Sequence, residues 1–457
     1  MRPAAGAKRG TAKQKWGIVQ LMLKKLKRAA LGARVPHEKG TAAMETVKMP
    51  VPTKVILPMQ QHIGAPCKPV VKKGDAVQVG TLVGEAGGFV SANIYSGVSG
   101  TVTGVDNVRL SDGRMCPAVT IQPDGLQTVD PAVKPPVVTD KESLLAAVQA
   151  CGLVGLGGAG FPTAVKLSPK SPVDTLVING AECEPYLTAD AREFLENSDT
   201  VMSGIEAVMK YLDIKKCLIG IERNKPECID LMCSLAKGVE GVEVKPLPSR
   251  YPQGAEKVLI ESVTGREVPQ GGLPADAGVI VLNVTTVSTI GKYLNTGMPL
   301  VTRRMTVDGD AVAKPQNLEV IVGTPLSEVL DFCGVKEGVK VGKLIMGGPM
   351  MGVAVADPAT PVLKQNNGLL AFSEKMATLP APGPCIRCGR CIDACPMGLE
   401  PVVIAGAYTS KDAAALDKLC VDLCMLCGSC SYVCPAKRPV TQTMSLAKDF
   451  AKKEASK

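Results

Sequence analysis

Two histidines in 457 residues leave little material for imidazole-based proton transfer. Aromatic side chains make up only 3% of the chain, against 47 glycines and 35 prolines, which predicts many turns and small cores. No stretch approaches the ~18 uncharged apolar residues needed to span a membrane. No secretory leader is visible either: lysines interrupt the first apolar stretch, and no small-residue cleavage site follows it. Residues 1–34 lack Asp and Glu altogether yet hold ten Lys or Arg, more than the whole chain's net +9. The remainder is therefore close to neutral, and nothing in the body suggests nucleic acid as a partner. Within that basic stretch Trp16, Val19, Leu23 and Leu26 recur at helical spacing beside Lys24, Lys25, Lys27 and Arg28. An amphipathic basic helix of this kind reads as a membrane-surface or partner-docking element, with a solvated extension as the plainer alternative.

Cysteine, by contrast, is plentiful. Eight of the seventeen fall into two runs, Cys385-x2-Cys388-x2-Cys391-x3-Cys395-Pro396 and Cys424-x2-Cys427-x2-Cys430-x3-Cys434-Pro435. Three thiolates two residues apart can wrap one face of an iron–sulfur cube, and the cysteine before proline reaches the other cube. Two [4Fe–4S] clusters are expected, one held by Cys385, Cys388, Cys391 and Cys434, the other by Cys424, Cys427, Cys430 and Cys395. Disulfides suit such dense triplets poorly, and zinc prefers separated CxxC pairs. The remaining nine cysteines have no ligand spacing among themselves and read mostly as small buried residues. Cys420 falls outside the pattern. Reduced thiols and oxygen-sensitive clusters point to the cytoplasm.

At 100–200 residues per domain the length allows about three or four domains. After an N-terminal extension, 1–45, residues 46–125 read as all-β, with short apolar runs between Gly-Asp, Gly-Gly and Asp-Gly turns. The stretch VKKGDAVQVGTLVGEAGGFVSANIYSGVSGTVTGV resembles a biotinyl/lipoyl-like barrel-sandwich, with a turn at Gly74-Asp75. A swinging-arm carrier needs a lysine at the hairpin tip, and Ala92-Asn93 offers none. His62, in QHIGAP, reads as a packing histidine. Beyond the linker Pro131–Pro136, residues 140–305 alternate strands with helices, which predicts a Rossmann-like α/β domain. Its strands are expected at Thr175–Ile178, Lys216–Ile221, Val242–Pro246 and Gly278–Val284, with helical stretches at Ser203–Tyr211 and Pro226–Lys237. Residues 306–375 return to short strands with a helix near Pro325–Phe332. The cluster module covers 380–440, and a basic tail 441–457.

GLGGAGFPTAVK, Gly155 to Lys166, is a loop whose glycines allow close backbone approach and whose amides can cradle an anion. NGAECEPYLTAD, Asn179 to Asp190, follows directly on a predicted strand, where ligands of open α/β sheets gather. GGAGFPT followed by NGAECEP resembles the NADH-oxidising flavin subunit of respiratory complex I. With QHIGAP, RYPQGAEK and GGPMMG, and the order barrel-sandwich, flavin domain, short β-rich domain and double cluster, residues 45–440 resemble the C-subunit family of the Rnf complex. That likeness implies a multidomain α/β fold in which 306–375 is an SLBB β-grasp domain. It implies a peripheral subunit on the cytoplasmic side of a membrane ion-translocating ferredoxin:NAD+ oxidoreductase, meeting ferredoxin through partner subunits.

By the same likeness Gly157, Gly158, Ala159 and Gly160 lie along FMN, and Lys166 reaches its phosphate or ring. Asn179 and Glu182 contact the flavin. Glu184 holds the nicotinamide of NAD(H), the one candidate for a catalytic role. Gly254 and Glu256 match a later turn, Asn283 and Thr286 a strand end, and Phe161 offers a face for adenine. Leu156, Ala255 and Leu282 depart from the complex I pattern, replacing Arg, Glu and Asn. A flavin belongs between NAD(H) and the clusters because it handles both hydride and single electrons. Two other readings compete: a soluble flavin/iron–sulfur reductase of the corrinoid-reductase type, which places its clusters earlier in the chain, and a non-catalytic iron–sulfur relay.

Overall fold

Alternate residues of the strand Thr175–Gly180 enter opposite cores: Leu176 and Ile178 on one side, Val177 on the other. Strands buried on both faces suit a parallel sheet covered by helices, and the structure, a computed structural model describing residues 32–111 and 113–456, has one. Val242–Leu247, Lys216–Glu222, Thr175–Gly180 and Val279–Asn283 lie side by side in that order, all parallel. Strand order reverses between Thr175–Gly180 and Val279–Asn283, which makes their carboxyl ends the switch point where such sheets bind ligands. The helices Ser198–Tyr211 and Val284–Thr296 cover one face, meeting at two glycines. A Cβ on Gly204 would lie 2.0 Å from Val287 O, and one on Gly291 2.2 Å from Thr200 O.

The barrel is built from two antiparallel sheets. Val55–Pro58, Met115–Pro123, Gly100–Arg109 and Ala76–Val77 form one; Lys68–Pro69, Leu82–Glu85 and Ile94–Tyr95 form the other. Val55, Leu57, Val83, Ile94 and Ile121 fill the space between them. The turn at Gly74 has φ +95° and is closed by Lys72 N donating to Asp75 Oδ2 (2.9 Å).

The third sheet orders Thr46–Lys48, Gln316–Ile321, Thr302–Asp308, Gly368–Ser373, Val341–Met346 and Val353–Val355. The sequence boundaries at 46 and 305 cut across it. Thr46–Lys48, read with the barrel, runs parallel to Gln316–Ile321 as an edge strand. Thr302–Val307 pairs with Gln316–Ile321 and Thr306–Asp308 with Gly368–Leu370, because the buried run Arg303–Asp308 needs neighbours on both sides.

These three parts make up one compact unit, Val35–Pro380; a second contains Ala381–Lys457. In the second, short helices gather round Ile404, Leu416, Val421, Met444 and Ala447. The basic tail expected at 441–457 is here a helix, Val440–Ala455, since Met444, Ala447 and Phe450 recur at helical spacing and bury against that core. The amphipathic stretch from Trp16 to Leu26 lies outside the described residues. Among the described residues no helix is long and apolar enough to cross a membrane.

Candidate functional site

Asn179 and Asn283 are register partners at the carboxyl ends of the two switch-point strands. Each fixes the loop beyond it. Asn283 Oδ1 caps the helix Val284–Thr296, accepting from Thr285 N (3.0 Å), while its Nδ2 donates to Asp190 Oδ2 (2.7 Å). Asn179 Oδ1 accepts from Ala181 N (3.2 Å), and its Nδ2 donates to Gly254 O (2.9 Å). Against this pair lies the glycine loop. Leu156 N donates to Thr286 Oγ1 (2.9 Å), and a Cβ on Gly157 would touch Asn283 at 3.3 Å. Gly157, Gly158 and Ala159 are exposed, Gly160 is buried and Phe161 is half-buried. The loop closes on itself through Gly155 N to Phe161 O (2.8 Å) and Gly160 N to Gly155 O (3.1 Å).

A ring of contacts thus unites most of the expected residues. Gly254 packs on Cys183 and Asn179, where a Cβ would meet Cys183 Sγ at 3.3 Å. Two residues on, Glu256 opens a helix and takes Lys166 Nζ at 2.5 Å. The arrangement fits a flavin phosphate: an exposed run of loop amides with little side chain over them, a partly exposed cation, and close walls at Gly157 and Gly254, where a Cβ would meet its neighbour at 3.3 Å.

Both acids are engaged by backbone amides. Glu182 accepts from Asp190 N (2.7 Å) and so caps the helix Ala189–Glu196. Its backbone is left-handed, with φ +48°. Glu184 receives Met350 N (3.0 Å) and Met351 N (2.9 Å) from the GGPMMG loop of the third sheet. Burial raises the carboxyl pKa of Glu182, Glu184, Asp190 and Glu222, each opposed by nearby cations or amides.

Four lysines and arginines that sequence reasoning passed over organise this region. Lys39 Nζ donates to the carbonyls of Glu182 and Glu184 (2.9 Å each) and to Leu187 O. Lys225 Nζ holds Ala181 O (2.7 Å). Arg303, 1% exposed, donates to Asn366 O (2.7 Å) and to Leu156 O, bracing the glycine loop from below. Lys364, wholly buried, donates to Gly152 O (2.7 Å) and Asn93 O, tying barrel to flavin domain; burial pulls its pKa down to about 8. None sits in a motif, and only the folded chain brings their carbonyl partners together. His62 is buried as expected, accepting from Ala92 N (3.2 Å).

In the C-terminal unit the two cysteine runs share one backbone. Arg387, Gly389 and Gly398 have positive φ, and so do Leu426, Gly428 and Lys437, each 39 residues later. The third cysteine of each triplet lies on a four-residue helix, Arg390–Asp393 or Ser429–Tyr432. One cavity is lined by Cys424, Cys427 and Cys430 together with Cys395. A wider recess is lined by Cys385, Cys388 and Cys391 together with Cys434. Neither wall contains a carboxylate or imidazole, so the donors suit a soft, all-thiolate cluster and not a hard ion. Cys420 lines neither cavity, and of the other eight unmatched cysteines only Cys183 and Cys233 are less than fully buried.

Comparison with known proteins follows the same division. Residues 27–126 match the RnfC barrel sandwich hybrid domain, 148–292 the Nuo51 FMN-binding domain, 304–354 the SLBB domain and 383–438 the 4Fe-4S dicluster domain. The C subunit of the Na+-translocating ferredoxin:NAD+ oxidoreductase complex of Acetobacterium woodii is 45% identical over 359 residues, covering 78% of this chain and 81% of that protein. Its counterpart in the proton-translocating ferredoxin:NAD+ oxidoreductase complex of Clostridium ljungdahlii is 43% identical over 80% of this chain and 81% of its own length. That of the ion-translocating oxidoreductase complex of Rhodobacter capsulatus is 39% identical over 90% of this chain and 80% of its own. With such identity sustained through most of the chain, and with barrel, FMN-binding, SLBB and dicluster parts in this order, the chain belongs to the RnfC family of ion-translocating oxidoreductase complexes.

Proposed function

We propose that the chain is the NAD(H)-linked electron-transfer subunit of a membrane-bound, ion-translocating ferredoxin:NAD+ oxidoreductase. Its cofactors are FMN and two [4Fe–4S] clusters. The observation that carries this reading is the Asn179–Asn283 pair beneath an exposed glycine loop, in one chain with two cavities of four cysteines each. Bound FMN supplies the exchange between a hydride and single electrons. The chain's residues position the reactants. Gly157, Gly158, Ala159 and Gly160 receive the phosphate and ring edge, and Lys166, steered by Glu256, neutralises the phosphate. Asn179, Asn283, Thr286 and Gly254 hold the walls. Phe161 offers a face to adenine. Glu182 keeps its loop in place for the flavin, and Glu184 sets the nicotinamide side through the segment it ties to Met350 and Met351.

In this reading Cys385, Cys388, Cys391 and Cys434 hold one cluster, and Cys424, Cys427, Cys430 and Cys395 the other. Electrons pass between NAD(H), FMN, one cluster, the other cluster and a partner subunit, with ferredoxin reached through partners. The chain sits on the cytoplasmic face of the cell membrane, docked through partner subunits and the basic residues 1–34. Deleting 1–34 is expected to weaken membrane association while leaving NADH-to-flavin transfer intact; equal assembly at several salt concentrations would remove the docking role. The complexes to which the Acetobacterium and Clostridium subunits belong are Na+-translocating and proton-translocating respectively, at nearly equal subunit identity, so ion choice does not follow from likeness in this subunit.

Anaerobic reconstitution with FMN and iron, then titration with NADH, tests the whole reading. Flavin and cluster absorbance should bleach together, and iron should reach about eight atoms per chain. Flavin reduction without any cluster reduction, or no flavin binding, would reject it.

A further inference from the structure

The two cluster sites differ in charge and in access. The cavity of Cys395, Cys424, Cys427 and Cys430 has no charged side chain in its wall, which Met397, Leu399, Met425 and Met444 help to close; a cation beside it, Lys448, donates to Cys424 O (2.8 Å) from outside that wall. The recess of Cys385, Cys388, Cys391 and Cys434 is lined by Arg387, Arg390 and Arg438, with no acid. All three arginines are exposed, as are Cys385 and Cys388, and Ile386 among them is 65% exposed. The 39-residue repeat makes the contrast internal. Arg387 stands where the other motif has half-buried Leu426, Arg390 where it has buried Ser429, and Arg438 where it has buried Leu399.

A four-thiolate [4Fe–4S] cluster carries net negative charge and gains one more on reduction, so adjacent cations and solvent favour its reduced form. A rim of guanidinium groups around an exposed cluster also steers an oppositely charged protein to it. We infer that the Cys385–Cys388–Cys391–Cys434 site is the electron port of this chain, docking an acidic one-electron carrier protein on Arg387, Arg390 and Arg438 around Ile386. The inference rests on the cluster assignment proposed above. One electron crosses between the partner's iron–sulfur centre and this cluster; one is oxidised, the other reduced, and no bond or proton changes hands. The cluster of the closed cavity, with Lys448 beside it against three arginines and open solvent at the other, has the lower potential of the two.

The test uses the full chain, reconstituted anaerobically, with wild type compared with the double variant Arg387→Gln/Arg390→Gln. An acidic ferredoxin, chemically reduced, stands in as probe for the partner's iron–sulfur domain, and cluster reduction is followed by stopped flow over a salt series without NADH. The rate at low salt should fall at least about tenfold in the variant, and the difference should close towards about 0.5 M salt as screening removes the attraction. In potentiometric EPR the higher of the two midpoint potentials should drop while the other stays. Iron at about eight atoms per chain shows that the variant retains its clusters; if it does not, Arg438→Gln is read in the same way. An unchanged rate and salt slope, or a shift in the lower potential instead, overturns the port. So does slowed NADH-driven cluster reduction with an unchanged ferredoxin rate, which assigns the arginines to internal transfer. Wild type that never reaches eight irons fails the cluster assignment, a separate result.

Discussion

Lys166 Nζ lies 2.5 Å from Glu256 Oε1, joining the helix behind the glycine loop to the helix that follows the Gly254 turn. Both side chains are partly exposed, at 28% and 39%. A pair in that setting contributes little to folding, about 0–1 kcal/mol. Lys166→Met should therefore leave unfolding midpoints nearly unchanged while weakening FMN binding about tenfold or more, read from flavin fluorescence on dilution. A large loss of stability with unchanged FMN affinity would make the pair structural.

The cavity that groups Cys395 with the second triplet predicts where damage falls. Cys395→Ser should disturb the EPR signal of the cluster held by Cys424, Cys427 and Cys430, and spare the other. Loss confined to the cluster of its own triplet would reverse the assignment.

Glu182 and Glu184 are separable by their partners. Glu182→Gln weakens the cap on Ala189–Glu196 and should lower FMN occupancy in purified protein. Glu184→Gln loosens the hold on Met350 and Met351, and should slow NADH-dependent flavin reduction about tenfold with FMN retained. Native kinetics in both variants would take the nicotinamide side away from this loop.

Lys39→Met leaves three carbonyls without their donor. An unsatisfied buried polar group costs about 1–3 kcal/mol, so thermal unfolding should come several degrees earlier and FMN should be lost first. Lys39→Arg should not restore either, because a planar fork cannot converge on three carbonyls as an ammonium does.

Four buried carboxyls, Glu182, Glu184, Asp190 and Glu222, have pKa values raised by burial. Between the ordinary carboxylate range and those raised values the folded chain holds more protons than the unfolded one. Stability therefore falls as pH rises through that window. Lys364 works in the opposite sense: with its pKa pulled down to about 8, the unfolded chain holds the extra proton above that pH, and stability rises. Unfolding followed by flavin release should show a shallow minimum near neutral pH. Glu222→Gln should flatten its acid side; an unaltered slope would exclude that carboxyl from the effect.

Much of this was legible because spacing carries it. The two cysteine runs announce their chemistry in the order of residues alone, and Leu176, Val177 and Ile178 mark a strand buried on both faces. Boundaries were less legible: Thr46–Lys48 has no local feature that separates it from a barrel strand, and its partner lies far along the chain. The glycine loop and the Asn179 strand end were visible as separate motifs, whereas their junction through Asn283 and Thr286 is tertiary. Glu182 and Glu184 look like ligands in sequence because acids beside a strand end usually face solvent or substrate. Here helix amides and the GGPMMG amides take them. Lys39 had no signal at all, since its worth depends on three carbonyls more than 140 residues away.

The edge strand Thr46–Lys48 also constrains how the chain is made. It pairs with residues from Asn317 onward, and Asn317 in turn donates to Thr41 O, 276 residues back. On a ribosome the N-terminal segment emerges long before its partner strand exists, so it must wait, unpaired, through synthesis of the barrel and the whole parallel sheet. A nascent chain arrested before residue 316 would hold a barrel and the carbonyls that Lys39 reaches, but its Thr46–Lys48 would lack the strand it pairs with. Protection of that segment from proteolysis should therefore appear late and abruptly as translation proceeds, after the barrel is already resistant.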